Sequence, residues 1–324
     1  MRRTEDGRGK DAFEAAFAAH DRACHPPKPP AHGPVFTVYA ALVAVQILFG
    51  IWPIAGALAL DEVSPPALIG FRTLVGGPLL FLLLSSHQRW PSRRDLLTLA
   101  ALSMLGIVGN QLMYAEGLKR AGPINAVILV VIVPASTLLI GVLLGRERAS
   151  VRRIAGIILT MWGVLVLVRA ERFDLSSETL VGNLLFLANT TCYSLYLVLA
   201  KPVVRRVGAL STVGWLFVFG AVGALPWTGP AVAATDWTAL STGAMASLAF
   251  ILAGPTIGTY VLNAYALKYV DASVVAIFIG LQPLIGAAAA WLLLDQLPTP
   301  RTVVAASVIV AGVLLATLKT KRPS

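Results

Sequence analysis

Ten side chains able to hydrogen-bond or carry charge stand inside stretches of the chain that are otherwise apolar: Gln46, Trp52, Arg72, Asn110, Tyr114, Asn189, Tyr193, Asn263, Tyr265 and Gln282. In hydrocarbon such groups are costly, so they face a bundle interior or a wet cavity. Asn110 and Tyr114 are four residues apart, and Asn189, Tyr193 and Tyr196 repeat that spacing, which puts each set on one face of a helix. Amides supply hydrogen bonds and aromatic rings supply walls. Together they suit the capture of small amphipathic solutes such as amino acids or aromatic metabolites. The same residue types also tie helices together or anchor them at an interface, and for any single residue both readings stand.

Arg72 is the one basic residue well inside an apolar stretch. Counted from Pro65 at 1.5 Å per residue it lies about 10 Å deep. An unpaired charge there costs about 2.5 to 3.5 kcal/mol on insertion scales, which predicts a partner: Glu116, a solute carboxylate, or water. Glu116 is also the candidate for coupling transport to protons.

Bond-breaking chemistry lacks its groups. His20, His25, His32 and His87 all lie outside the apolar stretches, no acid pair falls mid-stretch, and no His-Glu-x-x-His pattern occurs. A membrane-embedded enzyme is therefore the alternative, not the expectation, and no cofactor is implied. His20, Cys24, His25 and His32 are soft or imidazole ligands at short spacing, but that spacing and the flanking prolines match no structural zinc pattern, so no metal site is expected. Cys192, the other cysteine, falls within an apolar stretch and leaves no disulfide framework.

The elements that must position these residues are membrane helices. The chain is 57% hydrophobic and 13% charged over 324 residues, which contradicts a soluble domain. Apolar runs rich in Leu, Ala and Gly recur from Phe36 almost to the C-terminus, too continuous for barrel strands. Ten spans are predicted near 36–59, 65–84, 95–117, 124–144, 151–168, 180–199, 210–227, 243–266, 272–294 and 302–318. Pro226, Gly229 and Pro230 could end the seventh early or belong to a short extracellular loop, and with spans seven and eight so placed a count of nine or eleven stays open.

The net charge of +10 sits mostly in the short loops between spans, where it signals topology and not nucleic-acid binding. With an inside N-terminus, the cytoplasmic segments hold Arg89, Arg93, Arg94, Arg146, Arg148, Arg152, Arg153, Lys201, Arg205, Arg206, Lys268, Lys319, Lys321 and Arg322. The opposite loops hold Lys119, Arg120, Arg169, Arg172 and Arg301. This bias predicts a multi-pass protein of the inner (plasma) membrane with both termini cytoplasmic. Residues 1–34 read as a disordered tail with no signal-peptide segment, although Phe13 and Phe17 could mark a short surface helix over 11–20. Initiation near Val35 would leave every span intact.

Shifting the chain on itself by 149 residues aligns Leu118-Lys119 with Leu267-Lys268, Pro134 with Pro283, and Gly163-Val164-Leu165 with Gly312-Val313-Leu314. Five spans per copy is an odd number, so the second copy enters the membrane with opposite polarity. The predicted fold is thus all-α, a polytopic membrane protein of ten transmembrane helices in two inverted five-helix repeats, 35–170 and 171–318, with a short cytoplasmic tail over 319–324.

The first-half run from Asn110 through Tyr114 and Glu116 to Lys119, followed by Ala126, Pro134, Glu147, Gly156 and Gly163, resembles the drug/metabolite transporter superfamily, in particular EamA-type exporters. Asn263 to Lys268, Ala272, Pro283, Asp295 and Gly312 repeat the pattern in the second half, with Asp295-Gln296 standing where Arg146-Glu147 stands in the first. The resemblance covers about residues 36–318. It implies a basket of two repeats whose central cavity is lined by helices one to four and six to nine, with helices five and ten peripheral. It also implies a small-molecule substrate moved by alternating access. A sugar-phosphate or nucleotide-sugar carrier of the same fold would call for several cavity cations, and only Arg72 qualifies clearly. A homo-oligomer is compatible with the sequence.

Overall fold

The computed structural model describes residues 35–83, 90–168, 171, 173–294 and 299–317. The histidine-bearing tail with its 11–20 stretch, His87, Arg89, Arg169, Arg172, the Asp295-Gln296 pair and the end of the chain lie outside these residues.

Among the described residues all regular structure is helical. It forms ten rods, here α1 Val35–Leu60, α2 65–83, α3 Arg93–Gly122, α4 123–143, α5 Val151–Leu167, α6 Leu180–Val207, α7 Ala209–Ala234, α8 Thr242–Tyr269, α9 272–294 and α10 Pro300–Thr317. Six helices are long and apolar enough to cross a membrane, and Phe36–Trp52, Ile128–Leu143 and Ala272–Ala288 are shorter apolar helices. The seventh rod corrects the sequence expectation. Pro226, Gly229 and Pro230 do not end α7, which runs on to Ala234. Membrane helices tolerate proline because neighbouring groups re-satisfy the backbone, and here the Thr228 hydroxyl folds back onto the Ala224 carbonyl at 3.0 Å.

Several rods depart from α geometry at named places. Phe71–Val75 in α2, Met104–Gly109 in α3 and Leu252–Gly258 in α8 wind as wider π turns. At the 149-residue shift the α3 and α8 turns coincide. Each closes on a glycine held against its own backbone: a Cβ on Gly109 would lie 2.8 Å from the Met104 carbonyl oxygen, and one on Gly258 3.2 Å from that of Ala253. The same rods start alike, with Ser92 and Ser241 as N-caps accepting from the backbone N–H of Asp95 and Ala244, each at 3.2 Å. Pro134 and Pro283 also correspond. Pro134 restarts α4 after a turn at residues 131–132, and Pro283 restarts α9 after the 3-10 turn Phe278–Leu281. Proline is favoured there because the first turn of a helix has no use for its missing N–H. Between α3 and α4 the chain reverses at Gly122, whose φ of 77° is natural only to glycine.

Among the described residues, the side-chain pairs between chain connections join those of like parity. Arg206 near the end of α6 pairs with Asp95 at the start of α3, while Lys201 of α6 and Arg153 of α5 pair with Asp271 between α8 and α9. The Tyr39 hydroxyl, early in α1, donates to the Thr317 carbonyl at the end of α10. On the other set, Glu62 accepts from Ser241, Asn125 and Asn183 enclose the Asp174 backbone, and Arg301 pairs with Glu171. Alternate crossing by all ten rods accounts for this division. It places the connections after α2, α4, α6 and α8 on one membrane face and the others on the opposite face.

Candidate functional site

Part of the polar set of the spans gathers at the π turns of α2, α3 and α8. A π turn carries an extra residue per turn and loosens the hydrogen-bond ladder, freeing groups for other partners. Arg72, in the α2 turn, reaches across to the α8 turn. Its Nε donates to Thr256 Oγ1 at 2.8 Å and an Nη2 N–H to the Pro255 carbonyl at 3.4 Å. The Trp52 ring of α1 covers the guanidinium, with its centroid 4.8 Å from Cζ. Only 9% of Arg72 is exposed. Thr256 is itself oriented, because its hydroxyl hydrogen goes to the Ile251 carbonyl at 2.8 Å, leaving lone pairs for Arg72.

Glu116, one of the three partners expected for Arg72, does not pair with it. Glu116 instead meets Arg120, one turn further along α3, at 3.5 Å, and both side chains are about half exposed, 53% and 52%. The i, i+4 neighbour lies on the same helix face, whereas the Arg72 side chain is drawn to α8.

Below Arg72, Tyr260 of α8 donates to the Gly106 carbonyl in the α3 turn at 3.0 Å. Tyr196 of α6 lies against the same glycine, where a Cβ would come within 2.5 Å of its ring, so the close approach requires glycine. Tyr193 stands beside Tyr196 with ring centroids 5.9 Å apart. Asn189 donates from Nδ2 to the backbone carbonyl of Asn110 at 2.6 Å, so Asn110 takes part through its main chain. Tyr114 packs edge-on against Phe186 at 5.7 Å. Gln282 of α9 donates to Gln46 Oε1 of α1 at 2.9 Å. The Gln111 amide lies beside the Tyr260 hydroxyl, and Asn263 Oδ1 is buried with no hydrogen-bond partner among the described residues.

The sequence-derived residues thus fall into pairs: Trp52 with Arg72, Gln46 with Gln282, Asn110 with Asn189. Tyr265 stands apart. It is two residues from Asn263, hence on a different face of α8, and its ring meets Tyr269 at 5.1 Å. Thr256, Tyr260 and Gln111 were not singled out from sequence. The spacing of Thr256, Tyr260 and Asn263, four then three residues, was the legible sign of a shared face.

A second polar cluster closes the face that holds the α4–α5 connection. Glu147 is buried, accepts from the Ser273 N–H at 3.1 Å and from the Ser273 hydroxyl, and meets Arg153 at 3.4 Å. Arg153 also meets Asp271 at 3.0 Å, and Lys201 pairs with the other oxygen of that carboxylate. Burial pushes the Glu147 carboxyl above its ordinary range, and the two Ser273 bonds offset this only in part. Burial would also raise Asp271, but Lys201 and then Arg153 outweigh it and hold that carboxyl below its ordinary value. A polar cavity of ≈ 450 Å³ is lined by Glu147, Arg153, Asp271 and their neighbours.

Residues 36–169 and 180–318 each match the EamA-like transporter family. An uncharacterized transporter of Archaeoglobus fulgidus is 27% identical over 268 residues, covering 81% of this chain and 91% of that one. The uncharacterized transporter YdfC of Bacillus subtilis is 24% identical over 286 residues, covering 87% and 92%. A crystal structure of a protein 20% identical in sequence superposes with a TM-score of 0.73 over 86% of this chain and 96% of that one, a likeness of fold alone. Two family matches span almost all of the helical chain, each over one set of five rods, and the protein belongs to the EamA-like transporter family of multi-pass membrane transporters.

Proposed function

We propose that the protein exports small organic metabolites, amino acids or related amphipathic solutes, across the inner (plasma) membrane by alternating access, with both termini cytoplasmic. The observation that carries this reading is the composition of the polar layer inside the spans: amides of Gln46, Gln282 and Asn263, aromatic rings of Trp52, Tyr193 and Tyr260, and one buried cation, Arg72. Neutral hydrogen-bonding groups with aromatic walls suit zwitterionic or weakly charged solutes. A phosphate-bearing solute calls for several cations, and Arg72 is the one cation among the buried residues of the described chain.

Alternating access needs two contacts between the halves that are broken in turn. Arg72 to Thr256 lies toward one face, and Glu147 to Ser273 closes the other. The loop charge bias puts the Glu147 face in the cytoplasm.

Overexpressing cells challenged with a panel of toxic amino acids and metabolites should accumulate less of at least one compound than cells with empty vector. Equal accumulation across the panel, with the protein correctly inserted, counts against export.

A further inference from the structure

We infer that Arg72 is the receptor for a carboxylate on the transported solute, so that a free carboxylate is what this transporter selects; the inference rests on the transport reading above and names its solute class. The guanidinium is buried inside the spans and is held by neutral groups alone: the Thr256 hydroxyl, the Pro255 carbonyl and the Trp52 face. A hydroxyl and a carbonyl orient a cation without cancelling its charge. The acidic residues of the described chain lie at helix ends or in connections, and those nearest in sequence are otherwise placed, with Asp61 exposed and Glu62 bonded to Ser241 at 2.8 Å. Arg72 therefore has no protein counter-ion among the described residues, a costly state in low dielectric unless an anion visits.

The geometry leaves the means to bind one. Of five N–H donors, two are used in the bonds to Thr256 and Pro255. The rest suit the two oxygens of a carboxylate, which arginine takes as a fork. Thr256 and Pro255 fix the plane of the guanidinium, and Trp52 excludes water from one side of it. Two turns further along α8, about 10 Å from Thr256, Asn263 Oδ1 is buried without a partner among the described residues, an acceptor for a polar group at the far end of a solute.

A plain structural tie between α2 and α8 would also use Arg72, so the test reads selectivity and not stability. The full chain is purified and its thermal unfolding followed with leucine, leucinamide or isopentylamine, and uptake of the labelled compounds into proteoliposomes is measured in parallel. The expected result is that leucine stabilises and enters at least tenfold better than leucinamide, which differs in the carboxylate alone. Arg72→Gln should abolish that preference, and Arg72→Lys, which keeps the charge but not the fork, should retain it in weakened form. Should Arg72→Gln fail to fold, Thr256→Val, which removes one neutral anchor, should still narrow the preference several-fold. Wild-type protein that takes up leucinamide or isopentylamine as well as leucine overturns the carboxylate inference and leaves the transport reading standing. Preference unchanged in Arg72→Gln or Thr256→Val also overturns it. Uptake of none of the three, in vesicles with correctly inserted protein, overturns both.

Discussion

Gly156 of α5 and Gly312 of α10 are in backbone contact: a Cβ on Gly156 would lie 2.6 Å from the Gly312 carbonyl oxygen, and one on Gly312 would lie 2.8 Å from that of Gly156. Two turns along α5, a Cβ on Gly163 would meet Ile309 at 2.7 Å. Without a hydrophobic driving force in lipid, helices associate where small residues let their backbones approach. The last rods of the two halves are thus joined by a seam of glycines, while Ile158, Trp162, Val304 and Leu314 face outward.

Backbone atoms cannot yield as a side chain can, so Gly156→Leu and Gly312→Leu should each destabilise the protein by about 1 to 3 kcal/mol. Gly286→Ala is the control, because nothing lies within 4 Å of the added methyl. Thermal unfolding in detergent checks this, and a Gly156→Leu protein as stable as the control would show that the seam is loose.

Reporters fused at Arg206 and Arg93 should act on one side of the membrane, and those at Asp174 and Asp236 on the other. The pairing of Arg206 with Asp95 and of Glu62 with Ser241 fixes which connections share a face. From the excess of Lys and Arg, the Arg206 side should be the cytoplasmic one. An Asp236 fusion active in the cytoplasm overturns the assignment.

Two carboxyls of the Glu147 cluster should give opposite pH signatures. The folded-state pKa of Glu147 is raised, so its contribution to stability is present below the ordinary value of 4.5 and is lost as pH rises through the raised one. Glu147→Gln stays neutral throughout, and its stability relative to wild type should grow as pH climbs above 4.5. Asp271 is depressed, so its contribution is lost as pH falls below 3.8, and Asp271→Asn should flatten that acid limb. Glu147→Ala is a harsher change, because it strands the Ser273 N–H; it should cost about 1 to 3 kcal/mol below pH 4.5 and less as pH climbs. Melting temperatures across a pH series decide the matter, and parallel curves for wild type and Glu147→Gln would refute it.

The rods were legible because apolar length and loop charge are local properties, and the duplication was legible because Pro134 and Pro283 interrupt their helices at matching places. α7 was misjudged at Pro226, since proline ends helices in water but is absorbed in a bundle. Single site residues could be listed from sequence, yet their partners could not. Depth called for a partner to Arg72 and left Glu116, a solute carboxylate and water open, while the π turn of α8 offered Thr256 at a sequence distance no periodicity encodes. Glu147 stood out only as part of the family pattern, with no partner assigned to it. Its burial against Ser273 depends on the second half folding back over the first.

Gln46 and Gln282 illustrate how a site residue and a structural tie are told apart. Each amide is the other's partner at 2.9 Å, joining α1 to α9, and Gln46 is 1% exposed. Removing one partner leaves the other buried and unsatisfied, whereas replacing both with apolar side chains removes the need for a bond. Gln46→Leu and Gln282→Leu should therefore each destabilise by about 1 kcal/mol or more, and the double variant should cost less than their sum. Measured couplings of this kind in membrane bundles average about 0.6 kcal/mol, so the cycle needs that precision. Transport separates the roles. If the pair is a tie, the double variant, once stable, moves solute at the wild-type rate. If the amides open to receive solute, each single variant and the double lose affinity together. The expected result is recovered stability with solute affinity reduced several-fold, because an amide pair spanning the two halves is well placed to exchange its internal bond for one to a solute. Wild-type affinity in the double variant would remove both glutamines from the binding site.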